Sequence, residues 1–243
     1  MIKIGINGMG NMGQTLKTTL EKSPDIQAVC CLDKSDDLAQ AIRTHQPEII
    51  VDFTHPTGIR ERITQCLTLG CHIIVGTTGL KPDDGPLFLN LARETGKNLV
   101  ICPNFSIGAV MIIQAAATMA SHMPAVEIIE RHHIYKADAP SGTALQAADR
   151  IATANAMINT SIPESQAIVE HTRGGNYGPI PIHAMRLPGH LAQLDICFGN
   201  TGERVTLSHD TLDRTAFMPG VLLCIRKIAG LPVPVTYGLE SLL

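Results

Sequence analysis

Residues 127–143 read Glu-Ile-Ile-Glu-Arg-His-His-Ile-Tyr-Lys-Ala-Asp-Ala-Pro-Ser-Gly-Thr, the most unusual stretch of the chain. A strand pattern runs out into His132-His133-x-x-Lys136, and Pro140-Ser141-Gly142-Thr143 then opens an alanine-rich helix. The start of a helix offers backbone N–H groups to an anion. With His133, Lys136 and the Thr143 hydroxyl beside it, such a turn makes a pocket suited to carboxylates. His132 would serve as a proton donor near neutral pH and Lys136 as a cationic or acid partner. The chemistry implied is protonation of a small dianionic substrate. Plainer roles exist for the same residues. Ser141 and Thr143 are good helix caps, and adjacent histidines on a strand point to opposite faces. A zinc site from His132, His133 and Asp138 lacks the usual spacing of Cys and His ligands.

A second motif can bind a dinucleotide. Gly8-Met9-Gly10-Asn11-Met12-Gly13 is a GxGxxG that follows the β-branched run 2–6 and precedes the helical spacing Met12/Leu16/Leu20. The first glycine permits the tight turn, the second lets the backbone approach a pyrophosphate, and the third packs helix on strand. Asp33 follows the next apolar run, where an acid accepts hydrogen bonds from ribose hydroxyls. Its neighbour Lys34 could meet a 2′-phosphate, so NADH and NADPH both remain open. Gly76-Thr77-Thr78-Gly79 and Pro103-Asn104-Phe105-Ser106 follow two later strands, where the far end of a dinucleotide would lie.

These motifs need a scaffold. Runs at 2–6, 26–32, 48–53, 72–75 and 98–102 read as strands buried on both faces, alternating with helical segments. That alternation predicts right-handed βαβ crossovers and a doubly wound, Rossmann-like parallel sheet. Beyond Pro103 the rhythm changes to a helix over 108–122, a strand at 126–131 and a helix over 141–156. Residues 166–209 read as strands separated by turns at 174–179, 188–189 and 199–203, suggesting an antiparallel sheet with one covered face. A last helix near 215–229 is apolar enough to dock on the first domain. The expected organisation is a dinucleotide-binding domain of residues 1–103 plus 214–243, with an inserted α+β domain of residues 104–213 carrying a mixed or antiparallel sheet.

Composition narrows the class. The chain has 243 residues, a net charge of −3, 44% apolar residues and 17% charged residues. No basic field advertises nucleic acid or an anionic membrane. No apolar run reaches the roughly 20 residues of a membrane span, and the opening is too brief for a secretory signal. The seven cysteines form no CxxC pair, which fits reduced thiols in a cytoplasmic protein.

The segment EIIERHHIYKADAPSGTA resembles the signature of the 4-hydroxy-tetrahydrodipicolinate reductase (dihydrodipicolinate reductase) family. Val51-Asp52-Phe53-Thr54, Gly76-Thr77-Thr78-Gly79 and Pro103-Asn104-Phe105-Ser106-Ile107-Gly108 follow in family order. The resemblance implies NADH- or NADPH-dependent reduction of a cyclic dicarboxylate, with loss of water, to tetrahydrodipicolinate on the diaminopimelate route to lysine. Carried over residue by residue, it implies His132 as proton donor and acceptor and Lys136 as proton donor. His133, Gly142 and Thr143 become substrate contacts. Gly8 to Gly13, Asp33, Lys34, Gly76, Thr77, Thr78, Pro103, Asn104, Phe105 and Ser106 become cofactor contacts. It also implies a homotetramer built by the inserted domain, and closure about hinges near 103–108 and 210–215.

Two departures from the family pattern concern the cofactor. The glycine loop is one residue shorter, with Asn11 where the family has Arg or Lys, and the stretch from Asp33 to Glu48 is short. Two other functions are compatible with the glycine motif, namely another amino- or keto-acid dehydrogenase and a non-catalytic NAD(P)-binding redox sensor. The His-His-x-x-Lys and Pro-Ser-Gly-Thr segments argue against both.

Overall fold

The structure is a computed structural model that describes residues 1–77, 80, 84–163, 166–170 and 172–243. The chain divides into two compact units, Met1–Ile107 with Arg214–Leu243, and Gly108–Asp213.

In the first unit, β1 (Ile2–Asn7), β2 (Ile26–Leu32), β3 (Ile49–Asp52), β4 (His72–Val75) and β5 (Leu99–Ile101) alternate with α1 (Asn11–Leu20), α2 (Leu38–His45), α3 (Ile59–Thr68) and α4 (Gly85–Thr95). The strands form a parallel sheet with Ile4, Ile6, Ile50, Val51, Ile73, Ile74, Val75, Leu99 and Val100 fully buried. Burial of both faces explains why these strands read as continuous apolar runs rather than alternating ones. Each such side chain contributes roughly 1.5–3 kcal/mol relative to exposure.

A sixth strand, β11 (Val235–Tyr237), pairs parallel with β5 and gives the order β11-β5-β4-β3-β1-β2. Its three residues, bounded by Pro234 and Gly238, leave no sequence pattern to read. The order reverses at β1, whose neighbours are β2 on one side and β3 on the other. Ligands of open α/β sheets bind at such a switch point, outside the carboxyl ends of the strands. The expected last helix is a 3₁₀ turn, Arg214–Phe217, leading into α7 (Met218–Lys227), which packs beside α1.

The second unit holds α5 (Ile107–Ala120, whose first residue belongs to the first unit), β6 (Ala125–His132), α6 (Gly142–Ala154), β7 (Gly175–Tyr177), β8 (Ile180–Arg186), β9 (Ala192–Asn200) and β10 (Glu203–Thr211). The sheet order is β10-β9-β6-β8-β7. It is mixed, because β6 and β8 run parallel while the other pairs are antiparallel. One expectation is corrected here: residues 174–179 are not simply a turn. Gly175–Tyr177 form an edge strand between Gly174 and Gly178, both at positive φ. Ile113 and Ala116 of α5 and Ala144, Ala147, Ala148 and Ile151 of α6 cover one face of the sheet, packing on Val126, Ile128, Ile182, Ile196 and Phe198.

Candidate active site

The glycine turn divides its labour as the fingerprint requires. Gly8 has φ +99°, and a Cβ there would lie 2.7 Å from the Phe53 carbonyl carbon and oxygen. Only glycine fits at that crossing of β1 and β3. A Cβ on Gly13 would stand 2.1 Å from the Gly8 carbonyl oxygen, so the missing side chain lets α1 close onto the turn. Gly10 differs from both. Its backbone is ordinary (φ −70°, ψ −163°), and a Cβ would meet nothing within 4 Å. Neither strain nor protein packing demands glycine there, and the backbone is left open to approach. Met9, Asn11 and Met12 complete the turn and open α1, which has no side-chain cap at Gly10.

Asp33 follows β2, whose Leu32 carbonyl accepts from the Gly8 N–H at 2.9 Å. The Asp33 carboxylate accepts from the Lys34 N–H at 2.8 Å, and both side chains are exposed beside the turn. Asp52, at the carboxyl end of β3, is fully buried. It accepts five hydrogen bonds, from Asn7 Nδ2, Arg62 Nε, the Thr54 N–H, Thr54 Oγ1 and Thr77 Oγ1. Arg62 also donates to the carbonyls of His55 and Thr57. One buried carboxylate thus ties together the ends of β1, β3 and β4.

Gly76 lies against two rings, since a Cβ there would be 2.6 Å from Phe53 and 2.7 Å from Phe105. Those rings meet edge to face at 5.8 Å. Thr77, Phe105 and Ser106 turn buried side chains inward, so a ligand contact from these positions comes from the main chain. Asn104 accepts the Ser106 N–H at 2.9 Å, and Pro103 is exposed. Thr78 lies outside the described residues.

In the second unit, the alternation of β6 decides which groups meet. Val126, Ile128 and Glu130 face the helices, and His132 follows on the same side. Glu130 is fully buried, with His132 Nδ1 2.5 Å from its Oε2. Arg186 is registered beside His132 on β8 and donates from both terminal nitrogens to Glu130 at 2.8 Å. The Ser141 N–H completes the set at 3.0 Å, while Ser141 Oγ caps α6 through the Ala144 N–H. Burial alone would raise the Glu130 pKa, but the hydrogen bonds from His132, Arg186 and Ser141 hold it down at about 2.

Arg186 also donates to the Asp138 carbonyl at 2.6 Å, and the Asp138 carboxylate pairs with Lys136 at 2.8 and 2.9 Å. That clamp joins the Lys136 loop to the His132 strand. Beside it, Gly142 is exposed at the start of α6, with nothing within 4 Å of a Cβ, and Thr143 is half-buried. His133 lies just past the end of β6, and its Nδ1 is buried without a hydrogen-bond partner among the described residues.

Sequence reasoning missed Asp52, Arg62, Glu130 and Arg186 as working residues. Glu130 carried a usable signal, because it lies two positions before His132 and so shares its strand face. Arg186, 56 residues from Glu130, carried none.

Two family models match. The N-terminal dihydrodipicolinate reductase model covers residues 2–105 and the C-terminal model covers residues 108–243. A 4-hydroxy-tetrahydrodipicolinate reductase of Gloeobacter violaceus is 39% identical over 96% of each chain. One of Mycolicibacterium smegmatis is 37% identical over 100% of this chain and 99% of its own. The dipicolinate-bound dihydrodipicolinate reductase of Paenisporosarcina sp. TG-14 superposes with a TM-score of 0.90, 34% identity and complete coverage of both chains. The chain belongs to the dihydrodipicolinate reductase family.

Proposed function

We propose that the protein is an NAD(P)H-dependent 4-hydroxy-tetrahydrodipicolinate reductase that forms tetrahydrodipicolinate for lysine biosynthesis. The observation that carries the reading is the cluster in the second unit. His132 is anchored on a buried carboxylate, Lys136 is clamped nearby, and α6 begins at an open Gly142. In this reading the Gly142 and Thr143 turn receives one substrate carboxylate. His133 and the Lys136 ammonium supply further polar contacts. Cationic groups there offset negative charge that would otherwise oppose reduction of the ring. His132 and Lys136 exchange the protons that accompany reduction and loss of water, each placed by main-chain or carboxylate partners.

The first unit is assigned the dinucleotide. The open Gly10 position fits a pyrophosphate against the backbone, and Asp33 with Lys34 fits the adenosine ribose end. When bound, the reduced nicotinamide supplies the hydride. Asp33 favours NADH by repelling a 2′-phosphate, while Lys34 can meet that phosphate, so the enzyme is expected to accept both.

The sheet face of the second unit opposite α5 and α6 presents Glu127, Ile129 and Cys197 half-buried, with Glu127 paired to His183 and Arg173. That face is the proposed site of homotetramer assembly, checked by light scattering. No helix among the described residues is long and apolar enough to cross a membrane, and the described cysteines are all free thiols. Both support a cytoplasmic location.

The deciding experiment is oxidation of NADH and of NADPH while the preceding synthase generates the substrate in situ. Both should be consumed. His132→Ala and Lys136→Ala should each cut turnover by about 10²–10⁴-fold and leave NADH affinity unchanged. No oxidation of either nucleotide would overturn the assignment.

A further inference from the structure

We propose that Glu130 is the positioning residue for His132, holding its imidazole proton on Nδ1 so that Nε2 is the atom that exchanges a proton with the substrate. The inference rests on the reading of His132 as the acid–base group. It follows from counting donors around one buried carboxylate. Oε1 accepts from the Ser141 N–H and Arg186, and Oε2 accepts from Arg186 and faces His132 Nδ1 at 2.5 Å. With both oxygens engaged by donors and the group ionised, the carboxylate has no proton to give. An unprotonated Nδ1 at that distance would set lone pair against lone pair, so Nδ1 must be the donor. The neutral ring then carries its free lone pair on Nε2.

The rest of the cluster keeps that geometry from relaxing. Arg186 grips both oxygens from the adjacent strand and fixes the plane of the carboxylate. The Ser141 N–H draws Oε1 toward the start of α6, the turn assigned to the substrate carboxylate. Glu130 thereby orients the proton-transfer group and the anion-binding turn from a single point. In the transfer itself the Nε2–H bond of the protonated ring breaks. Its electron pair stays on Nε2, the proton passes to the substrate, and Nδ1 keeps its proton throughout. A buried ion pair contributes little net stability against an apolar replacement, so stability alone is a weak reason for this carboxylate.

The test is long-range proton–nitrogen NMR on protein with ¹⁵N-labelled histidine, recorded where imidazoles are neutral. The His132 signal is assigned by its loss in His132→Asn. Wild type should show the Nδ1–H form and Glu130→Gln the Nε2–H form, because a glutamine amide can donate to Nδ1. Glu130→Gln should lower kcat by about 10²–10⁴-fold, while the KM for substrate and for NADH stays within about twofold because the glutamine oxygen still accepts the Ser141 N–H and holds the turn. Glu130→Asp, which keeps the charge, should retain Nδ1–H and recover at least about tenfold of the lost kcat. An Nε2–H form in wild type would refute the proposal, even if Glu130→Gln does not fold. So would Glu130→Gln with the wild-type tautomer, or with a raised KM and an unchanged kcat. The tautomer is read without substrate, so a wild type that shows Nδ1–H but turns nothing over would sink the functional reading while leaving the placement of the imidazole proton by Glu130 standing.

Discussion

Gly8 and Gly10 stand two residues apart in one motif, yet the structure predicts opposite consequences for the same added methyl group. In Gly8→Ala the residue must hold φ +99°, a region that costs an L-residue roughly 1–2 kcal/mol. The new Cβ would also meet the Phe53 backbone at 2.7 Å, and overpacking of that kind costs about 1–3 kcal/mol. The sum, about 2–5 kcal/mol, lowers the melting temperature by roughly 4–20 °C for a chain of this size. Gly10→Ala has an ordinary backbone and empty space around it. Losing a tolerable N-cap and stiffening the unfolded chain nearly cancel, so stability should stay within about 1 kcal/mol. The methyl group would instead occupy the approach of the pyrophosphate and weaken NADH binding at least tenfold, about 1.4 kcal/mol. Thermal melts and titration calorimetry with NADH separate the two. A Gly10→Ala protein that binds NADH like wild type, or a Gly8→Ala protein as stable as wild type, would refute this account of the turn.

The other predictions concern the buried carboxylates. Glu130 has its folded pKa lowered from 4.5 to about 2, so its stabilisation is fully present above about pH 4.5 and is lost as pH falls toward 2. The shift corresponds to about 3 kcal/mol in full, of which about 2 kcal/mol is lost between pH 5 and pH 3; urea unfolding at those two pH values should show a fall in wild type that is smaller by about that amount in Glu130→Gln. Asp52→Ala strands Arg62 and four other donors and should cost about 3–5 kcal/mol, with the KM for NADH rising more than kcat falls. Thr77→Val removes one inward hydrogen bond to Asp52 and should cost about 1 kcal/mol in a denaturant melt. If it instead abolishes NADH binding, the Thr77 hydroxyl contacts the cofactor directly.

Periodicity located β1 to β5 and most helices because the information was local. A run such as Ile49-Ile50-Val51 is buried on both faces, and an amphipathic helix repeats its apolar positions over several turns. Three features were not local. The parallel pairing of β6 with β8 depends on which strands become neighbours, not on their alternation. Strand β11 is a strand because β5 offers it an edge. Residues 175–177 look like a glycine-rich turn and become an edge strand because β8 pairs with them. In each case the partner strand supplies what the segment's own sequence lacks.

The site follows the same division. Groups proposed to meet the ligand sit in contiguous motifs, so His132, His133, Lys136 and the Ser141–Thr143 turn can be found by reading along the chain. Groups that hold them in place come from wherever the fold brings a partner. Arg186 reaches Glu130 across strands, and Arg62 and Thr77 converge on Asp52 from a helix and from the end of a neighbouring strand. A buried carboxylate is costly unless donors surround it. Asp52 and Glu130 each stand at the end of a strand carrying or adjoining a proposed ligand site, and each is saturated with hydrogen bonds. That shared arrangement makes a sharper expectation than either motif alone: neutralising Asp52 should act first on cofactor affinity, and neutralising Glu130 first on turnover. The same steady-state experiment on both variants separates them, and a common loss of both properties would mean that the two carboxylates serve only the fold.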